Sequence, residues 1–498
     1  VIVCNKQKPE ALANKVLFIN ADREFAEGKN QNKLRPEDIE KIDYVFTHKR
    51  EIPQYSRMVD KSEIVETHEF NLNIRRYVDN TPAPEPEDVQ AHLIGGIPEE
   101  EVRSEKLEVR RAAFGLNLDA FLEPERPGYL KFVAAIESKP AIKAAIEADA
   151  AVQTTLLDHQ DALKDWWATA QIDFAQLRTG KTMPEVRQGL LTTLKEKLVP
   201  LSVLDEFKSA GVFVNWWQQI RFDLKTIMAT GWHHTLIPDD YLITAFFQAE
   251  ADAIEALDAT ASEKQSELAE AVEAGQELCN YEPDEGETVT TATIKKALKD
   301  QIDDLKGSES KSAKAELAAL KAQDKAIKDL EKAIKEAKAA GKRQTDELTH
   351  KLLLKRIGDE NFKIETQALL QSVKCEVESL KSDAAFKTAS DKKQKSQLKP
   401  FENDRLALEA RLAETDTLME SIGGPLTEEE ARTLILKKLH DIVSQELERY
   451  LNAEKRALIA GIENLWDKYA VSSQQLETDR EATLGQLNGF LSGLGYLG

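Results

Sequence analysis

The side chains that could do chemistry in this chain are few and scattered. His233-His234 is the only adjacent histidine pair. A metal site would have to add Asp239 or Asp240, and neighbouring side chains diverge on regular structure. The pair therefore reads as a polar turn after Trp232. Cys4, Cys279 and Cys375 lie far apart and form no Cys-x-x-Cys pair. That supports neither a disulfide framework nor a zinc cluster. No glycine-rich phosphate loop, Gly-x-Ser-x-Gly or His-Glu-x-x-His occurs. Trp166-Trp167 and Trp216-Trp217 have faces that could stack on bases, but no basic patch accompanies them, so they read as core. Arg75-Arg76, Arg103, Arg110 and Arg111 could meet phosphate, and surface ion pairing accounts for them equally well.

The balance of charge limits the partners. The chain has 498 residues, 31% of them charged, a net charge of -21 and a mean hydropathy of -0.46. Nucleic-acid binding rests on neutralising phosphates, so an acidic chain expects another part of an assembly to hold most of any DNA. No apolar run approaches the roughly 20 residues that cross a bilayer, and no leader pattern is visible. No membrane contact is expected, and a reducing cytoplasm fits best. The length suits two to four domains.

The elements that must position these residues are mainly helical. Residues 1–5 and 16–20 are β-branched runs separated by a polar stretch at 6–14, which predicts a two-stranded hairpin. A lone hairpin needs something to pack on, so it is expected to be the last piece of a sheet lying upstream, and the chain to be the C-terminal part of a longer protein. Pro36 opens a short helix over residues 36–46 with Ile39, Ile42 and Phe46 on one face. Residues 79–101, with Pro82, Pro84, Pro86 and only negative charge, are expected to be a linker, interrupted by a short helix over 88–93 that ends at Gly95-Gly96.

From about Val102 the pattern is helical. Residues 102–288 are expected to form a helical domain with an aromatic core around Trp216, Trp217, Ile220 and Leu224. An acidic break at 281–287 follows. Leu317, Leu320, Ile327, Leu330 and Ile334 then recur at coiled-coil spacing. Residues 289–422 are expected to be an antiparallel coiled-coil arm, interrupted near Gly307-Ser308. Leu320, Ile327 and Ile334 are candidates for recruiting a partner, although the seam could equally be intramolecular. Gly423-Gly424-Pro425 ends the arm. Thr427 with Glu430 is a capping box opening a C-terminal helical segment, residues 423–498.

Three stretches carry a resemblance. Residues 1–20 are similar to the late hairpin in the catalytic domain of Type I restriction-modification methyltransferase subunits, the N6-adenine DNA methylases. Residues 17–42, with Lys29-Asn30-Gln31-Asn32 and Leu34-Arg35-Pro36-Glu37-Asp38, resemble the segment after it. Asn71-Leu72-Asn73-Ile74-Arg75-Arg76-Tyr77-Val78 is similar to an Asn-Leu-Asn-Ile-x-Arg-Tyr signature near the end of these subunits, and Gly95-Gly96-Ile97-Pro98 recurs in long members.

The resemblance implies methyl transfer from S-adenosylmethionine to the exocyclic amine of a flipped-out adenine. It makes residues 1–78 the end of an α/β methyltransferase domain. It also implies a DNA specificity subunit, a restriction subunit as a further partner, and DNA held through the complex. The family's Asn/Asp-Pro-Pro-Tyr/Phe motif and cofactor loop are missing from the sequence. The parent is therefore expected to be the enzyme, and this stretch is assigned no catalytic, cofactor or metal residue. Asn71, Leu72, Asn73, Ile74, Arg76 and Tyr77 are signature residues, and Arg75 and Arg76 are candidates for DNA contact. A non-enzymatic coiled-coil adaptor is the alternative, distinguished by what lies in frame upstream of Val1.

Overall fold

The structure is a computed structural model. It describes residues 1–81, 87–176, 180, 182–283, 288–306, 310–388, 390–494 and 496. Pro82, Pro84, Pro86, residues 284–287 of the acidic break and Gly307-Ser308 lie outside the described residues. The chain is mainly helical with short antiparallel strands, and it divides into two units. Val1–Gly231 with Leu439–Gly498 form one, and Trp232–Lys438 form the other. The boundaries expected at 78, 101, 288 and 422 do not coincide with this division.

In the first unit, β1 (Lys15–Ile19) pairs antiparallel with β2 (Ser56–Asp60), Val16 opposite Val59 and Phe18 opposite Arg57. The expected hairpin is corrected here: residues 1–5 form no strand and are exposed. The pairing is decided by what β1 can bury. Phe18, Val59, Ile64, Tyr77 and Val78 form one apolar cluster, with Val16 packed on it. Residues 1–5 contribute nothing to it, and a β-branched run does not choose its own partner.

Helix α1 (Pro36–His48) forms where expected, with Asp38 accepting from the Arg35 backbone N–H at 2.8 Å. Its buried face is set by Asp38 and Val45, while Ile39 and Phe46 are exposed. Helix α2 (Val89–Ile94) is capped by Asp88 and stopped by Gly95-Gly96, both at positive φ. Residues 97–101 of the expected linker are packed. In β3 (Ile97–Pro98) Ile97 is buried, and in α3 (Glu99–Val102) the buried Glu101 accepts from Tyr469 Oη and, at 2.9 Å, from Lys468 Nζ.

Helix α4 (Glu105–Ala113) follows. Then β4 (Leu122–Arg126) and β5 (Tyr129–Phe132) turn at Gly128 and pair with β3 in the order β3-β5-β4. Residues after 102 are thus not all helical. Helices α5 (Lys139–Ala148), α6 (Ala150–Gln176), α7 (Met183–Leu198) and α8 (Glu206–Thr230) complete this part. Both tryptophan pairs are buried among them. Trp166 and Trp216 meet edge to face at 5.6 Å, and Trp166 Nε1 donates to Thr193 Oγ1 at 3.0 Å.

The second unit holds α9 (Asp239–Phe246), α10 (Gln248–Leu278), α11 (Thr291–Asp304), α12 (Lys311–Ser382), α13 (Ala384–Lys387) and α14 (Asp391–Ser421). Helices α10 and α12 run antiparallel: Gln323 Nε2 donates to Ala271 O at 2.5 Å, and Lys351 Nζ lies 3.2 Å from Glu250. Gly275 lets α11 approach, since a Cβ there would sit 3.0 Å from Ile294 Cγ2. Leu320 and Ile327 are fully buried in the cluster with Ile294, Leu298 and Ile302, and Ile334 is buried too. The candidate partner-binding residues therefore face the chain's own core. An apolar seam buries against whatever is tethered nearest, and here that is α10 and α11.

Helix α12 breaks at Gly358 (φ 76°). Beyond the break it runs antiparallel to α14, with Lys363 Nζ 2.5 Å from Asp416 Oδ1. Helix α15 (Glu428–Tyr469) opens on the capping box, Thr427 N–H donating to Glu430 at 2.8 Å and Glu430 N–H to Thr427 Oγ1 at 3.2 Å. Its residues from 439 on belong to the first unit, where Leu439, Val443, Leu447, Leu451, Leu458, Ile462 and Leu465 are buried. Helix α16 (Ser473–Gly493) has no buried residue.

Candidate functional site

The signature residues sit at the end of the small β1–β2 layer. Asn71 and Asn73 start it by local chemistry, their side-chain oxygens accepting from backbone N–H groups two residues on, at 2.9 Å and 3.2 Å. Such turns suit asparagine. They lead into a 3₁₀ turn over Ile74–Arg76. The turn delivers Tyr77 to the core, where its ring stacks on Phe18 of β1 at 4.1 Å and His68 meets it edge-on at 5.0 Å. Tyr77 Oη donates back to Asn71 O. The buried Asn20, just after β1, donates from Nδ2 to Val78 O at 2.9 Å. The signature is thereby fastened to β1 through rings and an amide.

The two candidate arginines have different situations. Arg75 Nη2 lies 2.9 Å from Asp22 Oδ2, while Asp22 Oδ1 accepts from Asn80. The Asn80 hydrogen bond and then Arg75 hold the Asp22 carboxyl below the usual carboxylate range. Arg76 is exposed and makes no ion pair among the described residues. Leu72 and Ile74 are also exposed. Beside them lies an open depression lined by Glu51, Gln54, Ser56, Arg57, Tyr77 and Asp79. Apart from Tyr77, these are residues that sequence reasoning left unassigned.

The β1–β2 layer with α1 is also joined to the helices of its unit. Tyr450 Oη of α15 donates to Glu37 at 2.6 Å and accepts from Asn215 of α8 at 3.0 Å. A Cβ at Gly211 would collide with that hydroxyl. Burial, then the Glu37 contact, pushes the Tyr450 phenol up. Lys195 of α7 pairs with Glu40 at 3.1 Å, and Tyr44 packs edge-on against Phe207 at 5.6 Å. None of these partners is visible from spacing, because they are 155 or more residues apart.

Residues 1–85 match the N-6 DNA Methylase family model. The N-terminal region is similar to Type I restriction enzyme methylase subunits. It is 41% identical over 92 residues to the MjaVII methylase subunit of Methanocaldococcus jannaschii, covering 18% of this chain and 15% of that protein. The MjaVIII methylase subunit of the same organism is 38% identical over 92 residues, with the same coverage. The MpnII methylase subunit of Mycoplasma pneumoniae is 31% identical over 75 residues, 15% of this chain and 14% of that protein. The chain thus spans about a seventh of the length of the curated relatives it matches. No solved structure matches. The whole β1–β2 layer, α1 and the signature lie inside the N-6 methylase match.

No cluster of three metal-ligating side chains occurs among the described residues. His233-His234 forms the polar turn expected, the rings 4.2 Å apart and the His234 carbonyl accepting from Arg356 at 2.7 Å. No helix among the described residues is long and apolar enough to cross a membrane.

Proposed function

We propose that this chain is the C-terminal part of a site-specific DNA adenine-N6 methyltransferase of a restriction-modification system. Its helices dock a DNA specificity subunit, and a restriction subunit is a further partner. The observation that carries the reading is the coincidence of the methylase match with one continuous packed layer, in which Tyr77 and Asn20 fasten the signature to β1. S-adenosylmethionine is the cofactor of the parent protein, where it supplies the methyl group. Such cofactors sit at the carboxyl ends of parallel strands. Every strand pairing described here is antiparallel, so these residues do not fit the cofactor and no step is assigned to them. The role proposed for residues 1–85 is to close the edge of the methyltransferase domain and join it to the helical region. A DNA substrate places the protein in the cytoplasm.

The test is transfer of a labelled methyl group to adenine-containing duplex by the full-length parent, with and without the neighbouring candidate specificity subunit. A parent ended before Val102 is run in parallel. Activity should need the partner and vanish on truncation, and the isolated 498-residue chain should show no heat of binding with S-adenosylmethionine. Labelled cytosine, or no transfer under any combination, overturns the reading.

A further inference from the structure

The far end of the α12–α14 hairpin carries a charge pattern unlike the rest of the chain. Because the two helices run antiparallel, the last turns of α12 and the first turns of α14 lie at one end. They are joined through α13, where Phe386 is buried and its carbonyl accepts from Gln394 at 2.8 Å. Between residues 374 and 399 stand seven lysines, Lys374, Lys381, Lys387, Lys392, Lys393, Lys395 and Lys399, against four carboxylates, Glu376, Glu378, Asp383 and Asp391. The stretch is positive in a chain whose net charge is -21.

All seven lysines are exposed, and none makes an ion pair among the described residues. Lysines elsewhere in the same unit do: Lys295 with Glu331 at 2.5 Å, Lys351 with Glu250 at 3.2 Å, Lys355 with Glu430 at 3.5 Å. The other lysine-rich stretch, residues 321–343, lies along α10, which has nine carboxylates and one lysine, so its charge is offset by its neighbour. Among the described residues, no ion pair joins a lysine of residues 374–399 to a carboxylate of another element.

Lys392, Lys395 and Lys399 fall at i, i+3 and i+7, one face of α14, and Lys374 and Lys381 at i and i+7, one face of α12. Ammonium groups in such rows are point charges suited to a phosphate backbone. Base stacking needs exposed aromatic rings. The one aromatic in the joining segment, Phe386, is buried.

We propose that the end of the α12–α14 hairpin is a contact site for the phosphate backbone of duplex DNA, without sequence preference. The choice of DNA over another polyanion rests on the methyltransferase reading. The site would add DNA contacts remote from the β1–β2 layer to a chain that otherwise repels DNA.

The test is fluorescence anisotropy of a labelled 30-base-pair duplex with the 498-residue chain in 50 mM NaCl. The variant Lys392→Glu, Lys395→Glu, Lys399→Glu is compared with Lys321→Glu, Lys325→Glu, Lys338→Glu, which changes net charge equally on the compensated stretch. Circular dichroism checks that each keeps its helicity. The hairpin-end variant should weaken binding at least tenfold and flatten the plot of log Kd against log [NaCl] by roughly 2 to 3 slope units, since each phosphate that a lysine neutralises adds about 0.9 to that slope. The other variant should stay within twofold. No binding by the unaltered chain, equal weakening in both variants, or a tip that binds poly-glutamate instead of duplex each overturns the proposal. Should the parent still methylate adenine in those cases, only this inference falls.

Discussion

Asn20 shows how much of the site depends on single buried groups. Its side-chain amide is the direct polar tie between the end of β1 and the signature, and burial makes the tie costly to break. Asn20→Ala leaves the Val78 carbonyl without that donor, and a buried unsatisfied group costs about 1–3 kcal/mol. Urea titration followed by tryptophan fluorescence should show a loss of that size, with Asn20→Asp at neutral pH losing at least as much, since a carboxylate cannot donate to the carbonyl. Tyr77 was legible in the sequence through the signature it belongs to, whereas Asn20 was not singled out. Their function as fasteners was not legible, since stacking of Phe18 on Tyr77 joins residues 59 apart in sequence.

His159 was not singled out at all. It is fully buried, Nδ1 bonded to Thr155 O at 2.7 Å, with Nε2 meeting no hydrogen-bond partner among the described residues. Burial holds its pKa below the usual histidine value of 6.5. The unfolded chain therefore takes up this proton first, so stability falls as pH drops from about 6.5 toward the folded-state value. Tryptophan-detected stability measured from pH 7.5 down to 5.0 should decline in the unaltered chain. His159→Phe should make that stretch flatter, and an unchanged slope would remove His159 as its source.

At the scale of elements, the helices were easier to foresee than the strands. A helix of 13 residues with proline at its start and a capping box at Thr427–Glu430 announce themselves within one or two turns of sequence. The strand partner does not. Ser56-Arg57-Met58-Val59-Asp60 buries one apolar side chain fully, so nothing local marks it as a strand, whereas residues 1–5 looked like one and are not. Face assignment failed for a related reason. Helix α1 turns Asp38 inward because Arg35 satisfies it through both guanidinium and backbone, a cost that periodicity alone does not count.

The seam of α12 was legible as a seam, and its partner was not, since spacing says what must be buried and not against what. Replacing Leu320, Ile327 and Ile334 together by Asp puts three charges where α10 and α11 pack. Each buried unpaired charge is prohibitive. The variant should lose much of the helical signal of α10, α11 and the first part of α12 in circular dichroism, with the melting temperature falling by more than 10 °C on the order of the lost packing. Unchanged helicity and melting would show that these side chains are not in a core.

The whole molecule offers a sharper form of that experiment, because the two units are marked by different probes. Trp166, Trp167, Trp216, Trp217 and Trp466 belong to Val1–Gly231 with Leu439–Gly498, and Trp232 is the one tryptophan of Trp232–Lys438. The second unit is inserted in the chain of the first, entering after α8 and leaving within α15. The cluster of Ile294, Leu298, Leu320 and Ile327 lies within the second unit, and that of Phe18, Val59 and Tyr77 within the first. Cooperativity follows shared packing, so separate cores predict separable transitions. In the Leu320→Asp, Ile327→Asp, Ile334→Asp variant, the transition seen by circular dichroism should drop while the one seen by tryptophan fluorescence moves by no more than about 2 °C. A joint collapse of both signals would mean that the inserted helices hold the methylase-like layer together. Loss of adenine methylation on perturbing the arm would then report unfolding, and not the loss of a docking or DNA-contacting surface.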